Sequence, residues 1–92
     1  MAWTVNVTRK AQKQLVRLPK VVFETLLALM LDIELEGPVR GDWPNYSKLS
    51  DAKHHCHLKK GHPAYVAIWR EVQNRVRLVE VIYAGSHEKA PY

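Results

Sequence analysis

A ten-residue stretch near the middle of the chain is rich in side chains that bind anions or transfer protons. It holds four of the five histidines and three lysines, and it has no carboxylate. The stretch reads Lys53, His54, His55, Cys56, His57, Leu58, Lys59, Lys60, Gly61 and His62. Imidazole titrates near neutral pH, whereas lysine remains a cation there. This mixture favours a site that holds a phosphate backbone and moves protons on it.

The same stretch also suggests a metal site, but its spacing argues against one. Neighbouring residues of a strand point to opposite faces, so at most two of residues 54–57 could meet one ion. A structural zinc site needs four ligands, usually in spaced pairs. We therefore expect no metal and no other cofactor. Cys56 lies among apolar neighbours and is expected to be an inert buried thiol.

Strand alternation places four of these residues in a row on one face: Lys53, His55, His57 and Lys59. Lys60 and His62 follow in the adjacent loop. Metal-free RNA cleavage must remove a proton from the 2′-hydroxyl, protonate the leaving 5′-oxygen and stabilise the negative charge on phosphorus. Histidine and lysine can do all three. The pattern alone is equally compatible with a solvated basic face that steers an acidic partner.

Length and composition indicate a single domain, residues 1–92, with a formal net charge of +5 at pH 7. The charge is segregated, since residues 1–20 carry five bases and no acid, and residues 21–36 carry four acids and no base. This segregation points to a polyanionic partner. One cysteine, no signal peptide and no apolar run long enough to span a bilayer favour a cytoplasmic protein that does not bind membranes.

The elements that must position these residues can be read from periodicity and turn signals. We expect a strand over residues 3–7 and a helix capped by Thr8 and ended by Pro19. A second helix is expected over residues 21–36. A loop with a short ordered piece at 46–49 then leads into three strands, at 53–59, 64–72 and 76–84.

The order β-α-α-β-β-β with short connections predicts an α+β fold, an antiparallel sheet with an αα-hairpin packed on one face. The other face should be open, with the basic residues of the second strand on or near it. On each of two elements, one set of side chains is expected to lie on a common face. On the second helix this set is Val22, Phe23, Leu26, Leu27, Met30 and Ile33. On the last strand it is Arg77, Val79, Val81 and Tyr83.

Over nearly its full length the chain resembles the RelE/ParE superfamily of bacterial type II toxins. The resemblance is carried by the element order and by a Leu18-Pro19-Lys20 turn between the helices. Two further stretches, 41–49 (Gly-Asp-Trp-Pro-Asn-Tyr-Ser-Lys-Leu) and 85–92 (Gly-Ser-His-Glu-Lys-Ala-Pro-Tyr), are similar to a subgroup of cytotoxic translational repressors. The resemblance implies a RelE-like toxin domain: a ribosome-dependent endoribonuclease that cuts mRNA by metal-free 2′-hydroxyl attack and is neutralised by a cognate antitoxin protein.

The resemblance also implies roles for individual residues. Catalytic roles fall on four residues: His87, His55, His57 and Tyr92. Binding of RNA phosphates falls on five: Lys53, Lys59, Lys60, Arg70 and Lys89. Family nucleases commonly have an arginine directly after the tyrosine of the following strand. Here Val66 follows Tyr65, so Lys60 or Arg70 is expected to substitute.

Two alternatives of a different class remain open at this stage. One is a ParE-like toxin that poisons DNA gyrase by protein contact and performs no chemistry. The other is an inactive homologue that only binds an antitoxin. The surplus of histidine and lysine on the expected open face favours the nuclease.

Overall fold

The computed structural model describes residues 2–61 and 63–92. His62, expected in the loop beside the basic row, lies outside the described residues. Within these residues the structure has two α-helices, a five-stranded sheet and a short 3₁₀ helix. Their bounds are β1 Thr4–Val7, α1 Arg9–Leu15, α2 Lys20–Glu36, β2 Ser47–Lys48, β3 Lys53–Lys59, β4 Tyr65–Glu71, β5 Leu78–Ser86 and the 3₁₀ helix His87–Lys89.

Helix α1 begins where the sequence predicts, but it ends at Leu15 rather than at Pro19. The Arg17 and Leu18 amides donate to carbonyls three residues back and close a turn there. The Thr8 hydroxyl accepts a hydrogen bond from the Ala11 amide at 3.2 Å, as expected of a helix cap. Helix α2 starts directly after Pro19 and ends at Gly37. Gly37 has φ +97°, a left-handed conformation that favours glycine, and a Cβ there would lie 3.1 Å from the Trp3 indole nitrogen.

The sheet has the strand order β1-β5-β4-β3-β2. Strands β2 to β5 pair antiparallel, which confirms the predicted hairpins. Strand β1 differs, because it pairs parallel to β5. A parallel neighbour requires a long crossover connection, and the helices and hairpins between β1 and β5 supply it. The sheet is therefore mostly antiparallel, with one parallel edge strand.

Both helices pack on one face of the sheet, as predicted. The core there is formed by buried residues from α1, α2, β3, β4 and β5: Ala11, Val22, Leu26, Leu29, Ile33, Cys56, Leu58, Ala67, Trp69, Val79, Val81 and Ala84. The Trp69 indole N–H donates to the Pro38 carbonyl at 2.9 Å, so the largest buried side chain keeps its polar group satisfied.

The buried stripe of α2 differs from the expected one at two positions. Leu29 is fully buried, whereas Leu27 is 47% exposed. Leu26 is fully buried, and Phe23 and Met30 are half-buried. In this apolar helix, hydrophobicity alone does not tell the inward leucine from the outward one, and packing against the sheet decides.

Two bulges correct the predicted strand faces. In β5 the register shifts so that Trp69 pairs with Val81 and Ile68 with Tyr83. Tyr83 therefore lies on the face opposite Val81, and the predicted grouping of the two is wrong. A bulge inserts one extra residue, which inverts the alternation beyond it.

The second bulge is in β3, where the register shifts between His57 and Lys59. Lys59 pairs with Tyr65, whose ring packs against the helix-side core. The row of basic side chains on the open face therefore ends at His57, and Lys59 does not continue it.

The open face carries a second, smaller apolar cluster, formed by Val66, Ile68 and Tyr83. Leu49, which follows β2, and Ala90, in the C-terminal tail, pack against this cluster. Because Ala90 belongs to the C-terminal tail, residues 87–92, the tail is drawn across the sheet face that the helices leave uncovered.

We predict that Gly85→Ala destabilises the fold. A Cβ at Gly85 would lie 2.8 Å from the Tyr83 hydroxyl oxygen, which donates to the Ser86 carbonyl at 2.7 Å. Tyr83 is buried, so its ring has little room to move away, and overpacking of this kind costs about 1–3 kcal/mol. The free energy of unfolding in urea measures the effect.

Gly41→Ala is the matched control, because a Cβ there would have no neighbour within 4 Å. It should change the free energy of unfolding by no more than about 0.5 kcal/mol. Equal stability of the two alanine variants would show that the contact between Gly85 and Tyr83 is not restrictive.

Candidate functional site

Four aromatic rings from two distant segments meet on the open face of the sheet. They belong to His55 and His57 of β3 and to His87 and Tyr92 of the C-terminal tail. The ring centroids are 4.9 Å apart for His55 and Tyr92, and 5.4 Å apart for His57 and His87. The distance is 6.2 Å between the two β3 histidines and 5.9 Å between the two tail rings. We call this group the four-ring cluster.

Backbone hydrogen bonds hold the tail half of the cluster in place. The His87 amide donates to the Ala64 carbonyl at 2.8 Å, which fixes the start of the 3₁₀ helix against the beginning of β4. The Ala90 amide then donates to the His87 carbonyl at 3.2 Å, and the Tyr92 amide donates to the Ala90 carbonyl at 2.9 Å. The tail is thus folded back so that its first and last rings reach β3.

His55 is held by a residue that sequence reasoning did not assign to the site. The Ser47 hydroxyl lies 3.0 Å from His55 Nδ1, and the Ser47 carbonyl oxygen lies 3.4 Å from the same nitrogen. A ring protonated at Nδ1 donates to Ser47 and leaves Nε2 able to accept a proton. The pairing of Ser47 with His55 in the short β2–β3 ladder creates this contact, and the sequence signals only that the segment is ordered.

The cluster is partly desolvated, and this affects the proton affinity of His57. Burial lowers the pKa of His57 below its ordinary value, and the nearby His87, His55 and Lys60 lower it further when they are charged. Burial and neighbouring cations both disfavour the imidazolium. His57 is therefore largely neutral at neutral pH and able to accept a proton.

The pKa of Tyr92 is shifted in the opposite direction, upward. Burial raises the pKa of its phenol above the ordinary value, and the neighbouring Tyr83 raises it further. The hydroxyl of Tyr92 therefore keeps its proton at neutral pH and can donate it, while its ring, about half exposed, remains available for stacking.

Three of the predicted phosphate-binding residues lie near the cluster or along its face. Lys60 is close enough for its charge to lower the pKa of His57. Lys53 precedes His55 by two residues on the same side of β3 and is paired across the sheet with Arg70. The Arg70 guanidinium is engaged by the Glu80 carboxylate at 2.8 and 3.1 Å, so its charge is partly neutralised.

The other two predicted phosphate ligands point elsewhere. Lys59 pairs with Tyr65 beyond the β3 bulge. Lys89 lines a separate groove together with Lys10 and Arg17. The fold therefore brings His55, His57, His87 and Tyr92 together with Lys60, and it does not bring Lys59 or Lys89 into the row.

His54, the neighbour of His55, has a different environment. It is fully buried on the helix side, where its ring stacks on Trp69 with centroids 5.8 Å apart. His54 Nδ1 lies 2.6 Å from the Tyr46 hydroxyl, and Nε2 lies 2.8 Å from a Glu71 carboxylate oxygen. Burial and the Glu71 charge raise the pKa of Tyr46, so its hydroxyl keeps a proton to donate. Both ring nitrogens of His54 are satisfied, and this histidine is structural.

Cys56 lies on the same side of β3 as His54, in the helix-side core. Burial raises the pKa of its thiol to about 12, and Asp42 adds to the effect. The thiolate is the nucleophilic form, so this cysteine is unreactive at neutral pH. Within residues 2–61 and 63–92, no group of three or more His, Cys, Asp and Glu side chains is arranged to hold a metal ion.

Comparison with known proteins places this geometry in a known fold. No protein-family sequence model matches the chain, and no curated protein sequence matches it. Solved structures do. A mutant of the E. coli toxin RelE in the free state superposes with a TM-score of 0.71 and 16% sequence identity, over 92% of this chain and 83% of that one. The YoeB dimer from Staphylococcus aureus gives a TM-score of 0.69 and 13% identity, over 95% and 99%.

The intact E. coli RelBE toxin–antitoxin complex is a third similar structure, with a TM-score of 0.62 and 17% identity, over 91% of this chain and 95% of that one. The chain has the RelE toxin fold. At these identities the likeness concerns the fold, and one fold can carry sites of differing chemistry. Within the described part of this RelE-fold chain, no helix is long and apolar enough to cross a membrane.

We predict that Tyr46→Phe destabilises the RelE fold of this chain. The change removes the hydroxyl 2.6 Å from His54 Nδ1 and leaves a buried nitrogen without its partner. An unsatisfied buried acceptor costs about 1–3 kcal/mol. Urea unfolding of the purified protein measures the loss.

Tyr65→Phe serves as the control. Tyr65 packs against the same core, but among the described residues its hydroxyl forms no hydrogen bond. If removing either hydroxyl cost the same free energy, the hydrogen bond between Tyr46 and His54 would contribute nothing specific.

Proposed function

We propose that this chain is the toxin of a type II toxin–antitoxin pair, and that it is an endoribonuclease which cleaves mRNA at the four-ring cluster. The observation that carries the proposal is the convergence of three histidines and a tyrosine on the open face of a RelE fold. These rings come from segments about thirty residues apart in sequence. Packing of an ordinary solvated face would not require them to meet.

The directions of the pKa shifts suggest which residue of the cluster acts as the general base and which acts as the general acid. Neutral His57 takes the proton from the RNA 2′-hydroxyl, whose oxygen then attacks the adjacent phosphorus. The bond from phosphorus to the 5′-oxygen breaks, and His87 or the neutral phenol of Tyr92 supplies the proton that this oxygen gains. The products are a 2′,3′-cyclic phosphate and a 5′-hydroxyl. The scheme needs no metal ion and leaves the proton count balanced.

Charge stabilisation in this scheme falls to lysines rather than to the arginine common in family nucleases. Lys60 lies beside His57, and Lys53 extends the same face. A fixed cation near the phosphorus stabilises the extra negative charge of the transition state. Arg70 is the weaker candidate, because its guanidinium already binds Glu80.

The candidate site and the charge distribution together suggest the partners of the chain. We propose that mRNA on the ribosome is the substrate, and that the chain acts in the cytoplasm where ribosomes are found. A cognate antitoxin would neutralise it through an acidic, partly helical segment, because the segregated basic charge of the chain fits such a partner. Toxin–antitoxin complexes among the similar structures support this pairing.

We predict that His87→Ala abolishes toxicity and mRNA cleavage in bacteria expressing the chain. Loss of one acid or base group slows a reaction by about 100- to 10,000-fold. His87 is exposed, so the fold and antitoxin binding should be unaffected. Growth after induction and mapping of transcript 5′ ends provide the measurements, and thermal unfolding checks the fold.

Glu88→Ala is the control, since Glu88 is an exposed neighbour in the same 3₁₀ helix and has no ring in the cluster. Full toxicity of His87→Ala would remove His87 from the proposed chemistry and leave the acid–base roles to His55 and His57. DNA breaks with intact mRNA in cells expressing the unmodified chain would favour gyrase poisoning, and neither effect would indicate an inactive antitoxin-binding homologue.

The pKa of His57 predicts the pH dependence of cleavage. A general base must be unprotonated, so the rate should rise with pH through the His57 pKa, with a midpoint below the ordinary histidine value of about 6.5. Lys60→Met removes a cation that lowers this pKa. The midpoint of the acidic limb should therefore move to higher pH, whatever happens to the maximal rate.

Lys59→Met is the matched control for this experiment, because Lys59 is not among the groups that shift the His57 pKa. Its acidic limb should keep the midpoint of the unmodified protein. An unchanged midpoint in Lys60→Met would mean that His57 is not the group whose deprotonation limits the rate.

A further inference from the structure

A second concave site lies between α1 and the C-terminal tail, outside the four-ring cluster. It is a groove of about 460 Å³, within the range of about 300–1,000 Å³ typical of ligand sites. Lys10 and Gln14 line one wall from successive turns of α1, and Arg17 follows just past the helix end. Lys89 lines the groove from the tail, and Tyr65 from the start of β4.

The groove is strongly cationic. Lys10, Arg17 and Lys89 contribute three positive charges, and no carboxylate is among the lining residues. Within residues 2–61 and 63–92, none of the three forms an ion pair. Cations gathered in a concavity reinforce one another's field and attract anions.

The remaining lining residues narrow the kind of anion. The Gln14 side-chain oxygen accepts a hydrogen bond from the Ala84 amide at 3.0 Å, so Gln14 braces the wall of the groove against β5. Tyr65 offers a half-buried aromatic ring. Cations combined with an aromatic ring match a single nucleic-acid strand, which offers phosphates and flat bases together.

The C-terminal tail joins the groove to the four-ring cluster. His87 and Tyr92 face the cluster, whereas Lys89 and Pro91, which lie between them in sequence, line the groove. The tail is thus the shared wall of two sites. A single nucleic-acid strand bound at the four-ring cluster would enter the groove by crossing the C-terminal tail.

We propose that this groove binds phosphates of the single-stranded RNA segment that flanks the bond cut at the four-ring cluster. The inference rests on the proposed nuclease function and adds a second contact region to it. The groove contributes affinity and fixes the direction of the strand, and it takes no part in the proton transfers.

The double variant Lys10→Ala/Arg17→Ala tests the groove. The probe is a fluorescein-labelled single-stranded RNA oligonucleotide with 2′-O-methyl groups, which cannot be cleaved by 2′-hydroxyl attack. Affinity is measured by fluorescence anisotropy over a series of salt concentrations. Each phosphate contact contributes about 0.7 to the slope of log K against log salt for a single strand. We expect weaker binding and a slope shallower by about 1.4.

Arg9→Ala/Lys13→Ala is the matched control. It removes the same charge from the same stretch of chain, residues 9–17, and both residues are exposed and lie outside the groove lining. Its slope and affinity should stay close to those of the unmodified chain. Thermal unfolding of both double variants checks that each is folded.

Two results would overturn the proposal that the groove binds RNA. One is an equal loss of affinity in both double variants, which would show a response to net charge alone. The other is unchanged RNA binding in Lys10→Ala/Arg17→Ala, including the case in which that variant loses binding to an acidic protein partner instead. The same experiments separate the two proposals. RNA binding that depends on the groove, without transcript cleavage in cells, would refute only the nuclease function. Transcript cleavage together with RNA binding that does not depend on the groove would refute only the role of the groove.

Discussion

The alternation of side chains from His54 to Leu58 in β3 determines which residues can form the site. Three of its side chains, His54, Cys56 and Leu58, are buried against the helices. A one-residue slip would send this set to the opposite face, so the helix-side core fixes the register of the strand. With the register fixed, His55 and His57 must point to the open face. The placement of the candidate catalytic histidines is therefore a consequence of core packing.

A strand supplies only one wall of a site, and the C-terminal tail supplies the other. The tail stays on the sheet because the open face is partly apolar there, with Ala90 packed on the cluster of Val66, Ile68 and Tyr83. The β5 bulge turns Tyr83 toward this face, and Gly85 leaves space for its ring. Two local backbone features thus decide whether the rings of His87 and Tyr92 reach β3.

Adjacent residues before β3 bind the two neighbouring histidines on opposite faces. Tyr46 binds buried His54, and Ser47 binds His55 in the four-ring cluster. The two histidines are thus held by consecutive residues, one on each face of the sheet. This arrangement explains how a chain of 92 residues, with a modest core, can still orient an imidazole.

Periodicity and turn chemistry predicted the helices, the hairpins and the face on which His55 and His57 lie. They did not predict the parallel pairing of β1, which depends on contacts between chain ends. Nor did they predict the bulges that moved Tyr83 and Lys59, because an inserted residue leaves no reliable trace in a pattern of period two. Ser47 was missed for a related reason, since its contact depends on the exact register of a two-residue strand.

The chemistry of the cut ends distinguishes cleavage by 2′-hydroxyl attack from other routes of RNA cleavage. Attack by the 2′-hydroxyl must leave a 2′,3′-cyclic phosphate on one fragment and a 5′-hydroxyl on the other, whichever histidine acts as the base. Transcripts from bacteria expressing the chain can be treated with an RNA ligase that joins only such ends, and the junctions sequenced. If the four-ring cluster cleaves RNA in this way, new junctions should appear, and they should be lost when His87 is replaced by alanine. Fragments ending in a 3′-hydroxyl and a 5′-phosphate, or intact transcripts in growth-arrested cells, would contradict it.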